Sequence, residues 1–178
     1  MRNTRLPLRL FLAFCLAAVP AGCGSPDDPP LAGDERMAAE YLEAENYRIE
    51  SRLGETGRYV LDREYLAGMP GGMIWGVQQA DPAEYIGKTI VSYGFLVSQH
   101  PLEKTLKTID PKDYVIRVDV LVADGRVIGG TSFPVPRDGK NGLAGAPYSL
   151  DGRTLEEVTG KRYGEWSDEW FSRFGRDH

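Results

Sequence analysis

Apolar spacing divides this chain into an N-terminal apolar run, a short polar stretch and a long region where helical and strand periods alternate. The clearest signal runs from Tyr114 to Phe133. Two β-type runs flank Asp124-Gly125, a pair that favours a two-residue type I′ loop. That loop places Val122 opposite Val127, Val120 opposite Gly129, Val118 opposite Thr131 and Ile116 opposite Phe133, all on one face. Arg117, Asp119, Leu121 and Ile128 fall on the other, more polar face. A second strand is expected from Thr89 to Ser98, with Val91, Tyr93, Phe95 and Val97 pointing one way. Tyr47 to Arg52 and Arg58 to Leu61 read as short strands around a turn at Gly54-Glu55-Thr56-Gly57.

Helical signals surround these strands. Asp34 can cap a helix from Glu35 to about Asn46, with Met37, Ala38, Tyr41 and Leu42 on one stripe. Asp62 can cap a brief helix through Met69, which Pro70-Gly71-Gly72 ends. Asp81-Pro82-Ala83-Glu84-Tyr85-Ile86-Gly87 combines a cap, a proline at the first helical position and a glycine exit. Thr154 with Glu157 forms a capping box ahead of a helix at Leu155. Beyond Gly160, Trp166, Trp170, Phe171 and Phe174 make an aromatic helical face, expected to be core rather than interface. The sum is an α+β domain: a mainly antiparallel four- or five-stranded sheet with helices packed on one face.

The N-terminus reads as an address. Arg2, Arg5 and Arg9 precede ten uncharged apolar residues, Leu10 to Val19, and then Pro20-Ala21-Gly22-Cys23. This is the layout of a secretory signal over residues 1–22. Ten helical residues rise about 15 Å, half of a bilayer's hydrocarbon core. Small residues before Cys23 resemble the lipobox of bacterial lipoproteins, with Pro20 where Leu, Val or Ile is usual. That likeness implies a diacylglycerol thioether on Cys23; the competing reading is ordinary cleavage after Ala21. Cys15 would leave with the signal, so Cys23 would be a lone thiol without a disulfide partner. Residues 23–33 then form a proline-rich tether, and residues 34–178 a single globular domain.

Charge narrows the partners. Among 178 residues, 21 are Lys or Arg and 26 are Asp or Glu. Without the first 22, 18 basic residues face 26 acidic ones, a net of −8. A nucleic-acid binder needs the opposite excess, and so does a polybasic membrane patch. The expected membrane partner is therefore reached through the lipid on Cys23, with an envelope protein as a possible second partner.

Catalytic chemistry finds few carriers. Metal ligation needs three or four N, S or O ligands at set spacing, and beyond the signal only His100, His178 and Cys23 offer N or S. No metal site and no cofactor are expected. Ser98 and His100 lie two residues apart at a strand end, where a Ser–His–acid arrangement could assemble in space. No GxSxG elbow accompanies them. The plainer reading is a half-exposed His100 that turns the chain out of the sheet with Pro101. Gly129-Gly130 offers bare backbone to a ligand or partner strand, or else marks a bulge. Pro134 to Pro147 is a long loop carrying Arg137, either a recognition loop or a plain connection. His100, Gly129, Gly130 and Arg137 are thus the candidate contacts, and no catalytic residue is assigned.

Four segments carry a resemblance. Asp81 to Lys88 with its Tyr85-Ile86-Gly87-Lys88 ending, the strand ending in His100-Pro101, Val120 to Gly130, and Leu150-Asp151-Gly152 are similar to bacterial exported proteins with the domain of unknown function numbered 4830. The likeness spans about Tyr41 to Gly152. It implies one extracytoplasmic domain and names no activity or site residue. The leading expectation is a lipid-anchored extracytoplasmic binding or interaction module without catalysis. The alternatives are an envelope hydrolase using Ser98 and His100, or a purely structural envelope protein.

Overall fold

A computed structural model describes residues 31–106, 112–137 and 145–175. The signal segment, Cys23 and most of the tether lie outside the described residues, as do Gly139, Gly142 and His178. Five antiparallel strands pair in chain order: β1 (Arg48–Val60), β2 (Thr89–Ser98), β3 (Tyr114–Ala123), β4 (Arg126–Pro136) and β5 (Tyr148–Ser149). Among the described residues six helices surround them: α1 (Gly33–Ala44), α2 (Arg63–Ala67), α3 (Gly71–Gly76), α4 (Leu102–Thr105), α5 (Leu155–Thr159) and α6 (Tyr163–Phe174). A 3₁₀ turn at Pro82–Tyr85 starts on Asp81, whose Oδ1 accepts from the Ala83 N–H at 2.9 Å. The protein is α+β, with a five-stranded antiparallel sheet, as its patterning implies.

The helical layer divides between both faces of the sheet. On one face, Phe95, Val97, Ile116, Val118, Val120 and Val122 pack under Ala38, Ala39 and Leu42 of α1. On the other, Ile90, Leu121 and Ala123 pack against Trp75, Leu155, Trp166, Trp170 and Phe174. Alternation along β3 explains the split, because even and odd positions point to opposite sides. The expectation of helices on one face is refined accordingly. The aromatic stripe of α6 is core, as expected. Trp170 is buried and its indole N–H donates to the Leu66 carbonyl at 2.9 Å. Trp166 and Phe174 are buried with it, but Phe171, expected on the same stripe, is 51% exposed and is not core.

The β3–β4 hairpin turns at Asp124 and Gly125, both at positive φ, as the type I′ reading requires. Its register beyond the turn differs from the expectation. Val122 faces Val127, but Leu121 then faces Gly129, so Ile128 is an extra residue in β4. Gly129 has φ +145, a backbone region that side chains rarely adopt. The bulge shifts every later pair by one: Val120 faces Gly130, Val118 faces Ser132, and Ile116 faces Pro134. Thr131 and Phe133, expected on the aliphatic face, instead stand with Asp119 and Arg117.

Three other expectations change. The two short strands around Gly54 and Gly57 are one strand, β1, with three register shifts between Ile49 and Gly57. Edge-strand glycines absorb bulges, and here they do so without reversing the chain. Asp34 lies inside the first turn of α1 and does not cap it; Ala32 holds the cap position. The helix expected through Met69 ends earlier, at Ala67 with Gly68 as its cap, and Pro70-Gly71-Gly72 instead begins α3, a helix the glycines hide from propensity reasoning. Asp62 caps α2 as expected, its carboxylate accepting from the Tyr65 N–H at 2.7 Å. The Thr154–Glu157 capping box is formed in both directions.

Candidate functional site

His100 is 1% exposed, not half exposed. Its Nε2 lies 2.9 Å from the Leu150 carbonyl, and its Nδ1 accepts from the Leu102 N–H at 3.2 Å. This pairing requires the neutral ring protonated on Nε2. Burial lowers its pKa, against a smaller opposing effect of the Leu150 carbonyl. Both nitrogens are therefore spent on backbone groups, and neither is left for a serine hydroxyl. Ser98 instead hydrogen-bonds Glu50. The ring stacks tilted on Tyr47 at 4.7 Å and tethers the β5 region to the start of α4. His100 is a structural latch.

Arg137 reaches Glu50, with Nη1 3.0 Å from Oε2, and holds that carboxyl below its ordinary pKa. It is exposed and lines none of the hollows described below. Gly129 and Gly130 meet Gln78. The Gln78 Oε1 accepts from the Gly130 N–H at 2.8 Å, and its amide nitrogen donates to the Gly130 carbonyl at 3.0 Å. A side-chain amide thus occupies the bare backbone that a partner strand would use. A Cβ at Gly129 would come within 2.2 Å of Gln78 Oε1. Beside it lies a hollow of about 340 Å³ that includes Gly129, Tyr41, Glu45, Tyr47 and Asp151. Burial, then Glu45 and Asp151, push the Tyr47 hydroxyl up to about 12. The Asp151 carboxylate is already engaged by Arg153 Nε at 2.8 Å and by the Ser149 hydroxyl.

A larger and more apolar groove, of about 510 Å³, opens at the β4–β5 edge of the sheet, where residues of both cores meet. Met73 of α3, Phe133 of β4, Pro147, Tyr148, Leu155 of α5 and Tyr163 of α6 form its walls. Thr154 and Glu156 supply polar groups at its edge. Leu106 and Gly145, which also line it, adjoin the stretches 107–111 and 138–144, outside the described residues. Ligand sites are typically concave, mostly apolar and furnished with a few polar groups. This groove has that character. The described part of the Pro134–Pro147 loop forms one of its sides.

Next to it, sharing Phe133, is a polar tract on the face packed by α6, with its own hollow of about 230 Å³. Arg117 binds Asp119 in two-pronged fashion, Nε to Oδ2 and Nη2 to Oδ1, both at 2.8 Å. That contact raises the guanidinium pKa above its ordinary value. The Thr56 hydroxyl lies 2.7 Å from Asp119 Oδ1 and 3.0 Å from the Ser92 hydroxyl. Thr131 and the stacked rings of Tyr59 and Tyr65, 4.3 Å apart, complete the surround. Burial raises the Tyr59 pKa, with Tyr65 adding to it. The polar character of Arg117 and Asp119 was readable from alternation. Thr56 was hidden in an expected turn, and the groove draws its walls from separate segments with no common motif.

Among the described residues, no group of three or more His, Cys, Asp or Glu is placed to hold a metal ion. No helix among them is long and apolar enough to cross a membrane. No family model, curated protein or solved structure matches this chain.

Proposed function

We propose that this protein is a lipid-anchored extracytoplasmic binding module for a mainly apolar small ligand, held in the groove between Phe133, Tyr148, Leu155 and Tyr163. The observation that carries the reading is the groove itself: an open concavity with aromatic and aliphatic walls, larger and more apolar than the other two hollows. The address rests on the sequence, through the lipobox-like Pro20-Ala21-Gly22-Cys23 and the tether after it. A module of this kind holds its ligand at a bilayer surface, and two or three acyl chains on Cys23 suffice for stable anchoring.

A neutral fluorescent apolar probe, N-phenyl-1-naphthylamine, tests the groove. The processed protein should bind it saturably with one site. Ala146→Trp places a bulky ring at the groove's exposed rim and should weaken that binding about tenfold, a loss of about 1.4 kcal/mol. Equal binding by both proteins would contradict the reading. Cys23→Ala tests the address: it should move the protein from the membrane fraction to the soluble one, and unchanged retention would refute the anchor.

A further inference from the structure

The apolar groove and the polar tract meet at one residue. Phe133 lines both hollows, and α3 contributes Met73 to the first and the neighbouring Ile74 to the second. This continuity is a product of the β4 bulge, which rotates Thr131 and Phe133 onto the Arg117 and Asp119 face. Thr131 and Phe133 are two residues apart on a strand, so the polar end begins about 7 Å from the apolar wall. One ligand can therefore span both.

We infer that the ligand is an amphiphile with an uncharged, hydroxyl-bearing head, its tail in the groove and its head against Arg117, Asp119 and Thr131. This deepens the groove reading and depends on it. The charge balance of the tract selects the head. Arg117 and Asp119 neutralise each other through two hydrogen bonds, so a net anion finds no unpaired cation there. Each still has unused capacity. A guanidinium has five N–H donors and this one gives two to Asp119; a carboxylate accepts about four bonds. Asp119 takes two from Arg117 and one from Thr56. A hydroxyl donates and accepts, so a pair of adjacent hydroxyls can give a proton to Asp119 and receive one from Arg117. The side chain of Asp119 is 14% exposed and that of Arg117 38%, which shields the pair while leaving an accessible edge. The Tyr59 and Tyr65 rings, stacked on each other, line the same hollow and add apolar surface beside the pair.

The test is calorimetric titration with three probes below their micelle concentrations: octyl glucoside, octanoate and free glucose. Octyl glucoside should bind about tenfold more tightly than octanoate, which has a similar tail and an anionic head. Glucose alone should bind more weakly than either. Arg117→Met and, as a milder variant that keeps side-chain shape, Thr131→Val should each lower octyl glucoside affinity about fivefold, the scale of one lost hydrogen bond. Both should leave N-phenyl-1-naphthylamine binding unchanged, which also shows that they fold. Octanoate binding as well as octyl glucoside, or indifference of octyl glucoside to both substitutions, would overturn the head assignment while the groove stands. Failure of wild-type protein to bind any tail-bearing probe would overturn the groove with it.

Discussion

The two faces of the sheet are built from the same strands and end differently. Under α1, Ala38, Leu42, Phe95, Ile116, Val118 and Val120 are all buried, and His100 spends both nitrogens on backbone. The opposite face is closed at one end by three tryptophans and Phe174 and left open at the other. There the polar tract lies, and the groove adjoins it at the β4–β5 edge through Phe133. The difference begins in one extra residue. Without the Ile128 bulge, Phe133 and Thr131 would point into the aliphatic face, and the open face would lose its shared wall.

Substitutions can break this comparison. The largest effect is expected at the closed end of the second face. Trp170→Ala removes a buried ring, its contacts with Trp166 and Phe174, and its bond to Leu66. It should cost about 3–5 kcal/mol of stability by urea denaturation. A loss below about 1 kcal/mol would show that α6 is not core. Gly129→Ala comes next. It strains a positive-φ position and drives a methyl group against Gln78, for an expected cost of about 1–3 kcal/mol. It should also weaken probe binding, because the bulge orients Phe133; intact binding would sever the bulge from the groove.

Thr154→Ala removes the hydroxyl that caps α5 at the groove's edge, at about 1 kcal/mol by the same assay. The closed face is tested by pH. His100 has a lowered pKa in the folded state, so above its ordinary value of 6.5 it is neutral both folded and unfolded. As pH falls below 6.5 the unfolded chain binds the proton first, so stability should decline toward and through the lower folded value. A His100→Gln variant should lack that portion of the slope; an unchanged pH profile would contradict the latch. The smallest effect is Arg137→Ala, which breaks an exposed ion pair and should cost less than about 1 kcal/mol.

Strand β2 and the Asp124-Gly125 turn were legible because alternation and turn chemistry are local. The class of fold followed from them. β1 was misread because a glycine in a bulge and a glycine in a turn look alike until the partner strand is known. α3 was missed because two glycines and a proline mask a helix that tertiary packing enforces around Trp75. For His100, burial was invisible: its partners, Leu102 and Leu150, lie on opposite sides of the long loop in sequence. Gly129 was recognised as a possible bulge, yet its consequence for Phe133 needs the register. The groove was not legible at all, since its walls come from α3, β4, the loop before β5, α5 and α6.

The central claim is that the open face holds the ligand. Amide chemical-shift mapping during an octyl glucoside titration tests it most directly. The account predicts that shifts gather at Arg117, Phe133, Tyr148 and Leu155. Shifts gathered instead at Tyr41, Tyr47 and Asp151, around the hollow beside Gly129, would contradict it.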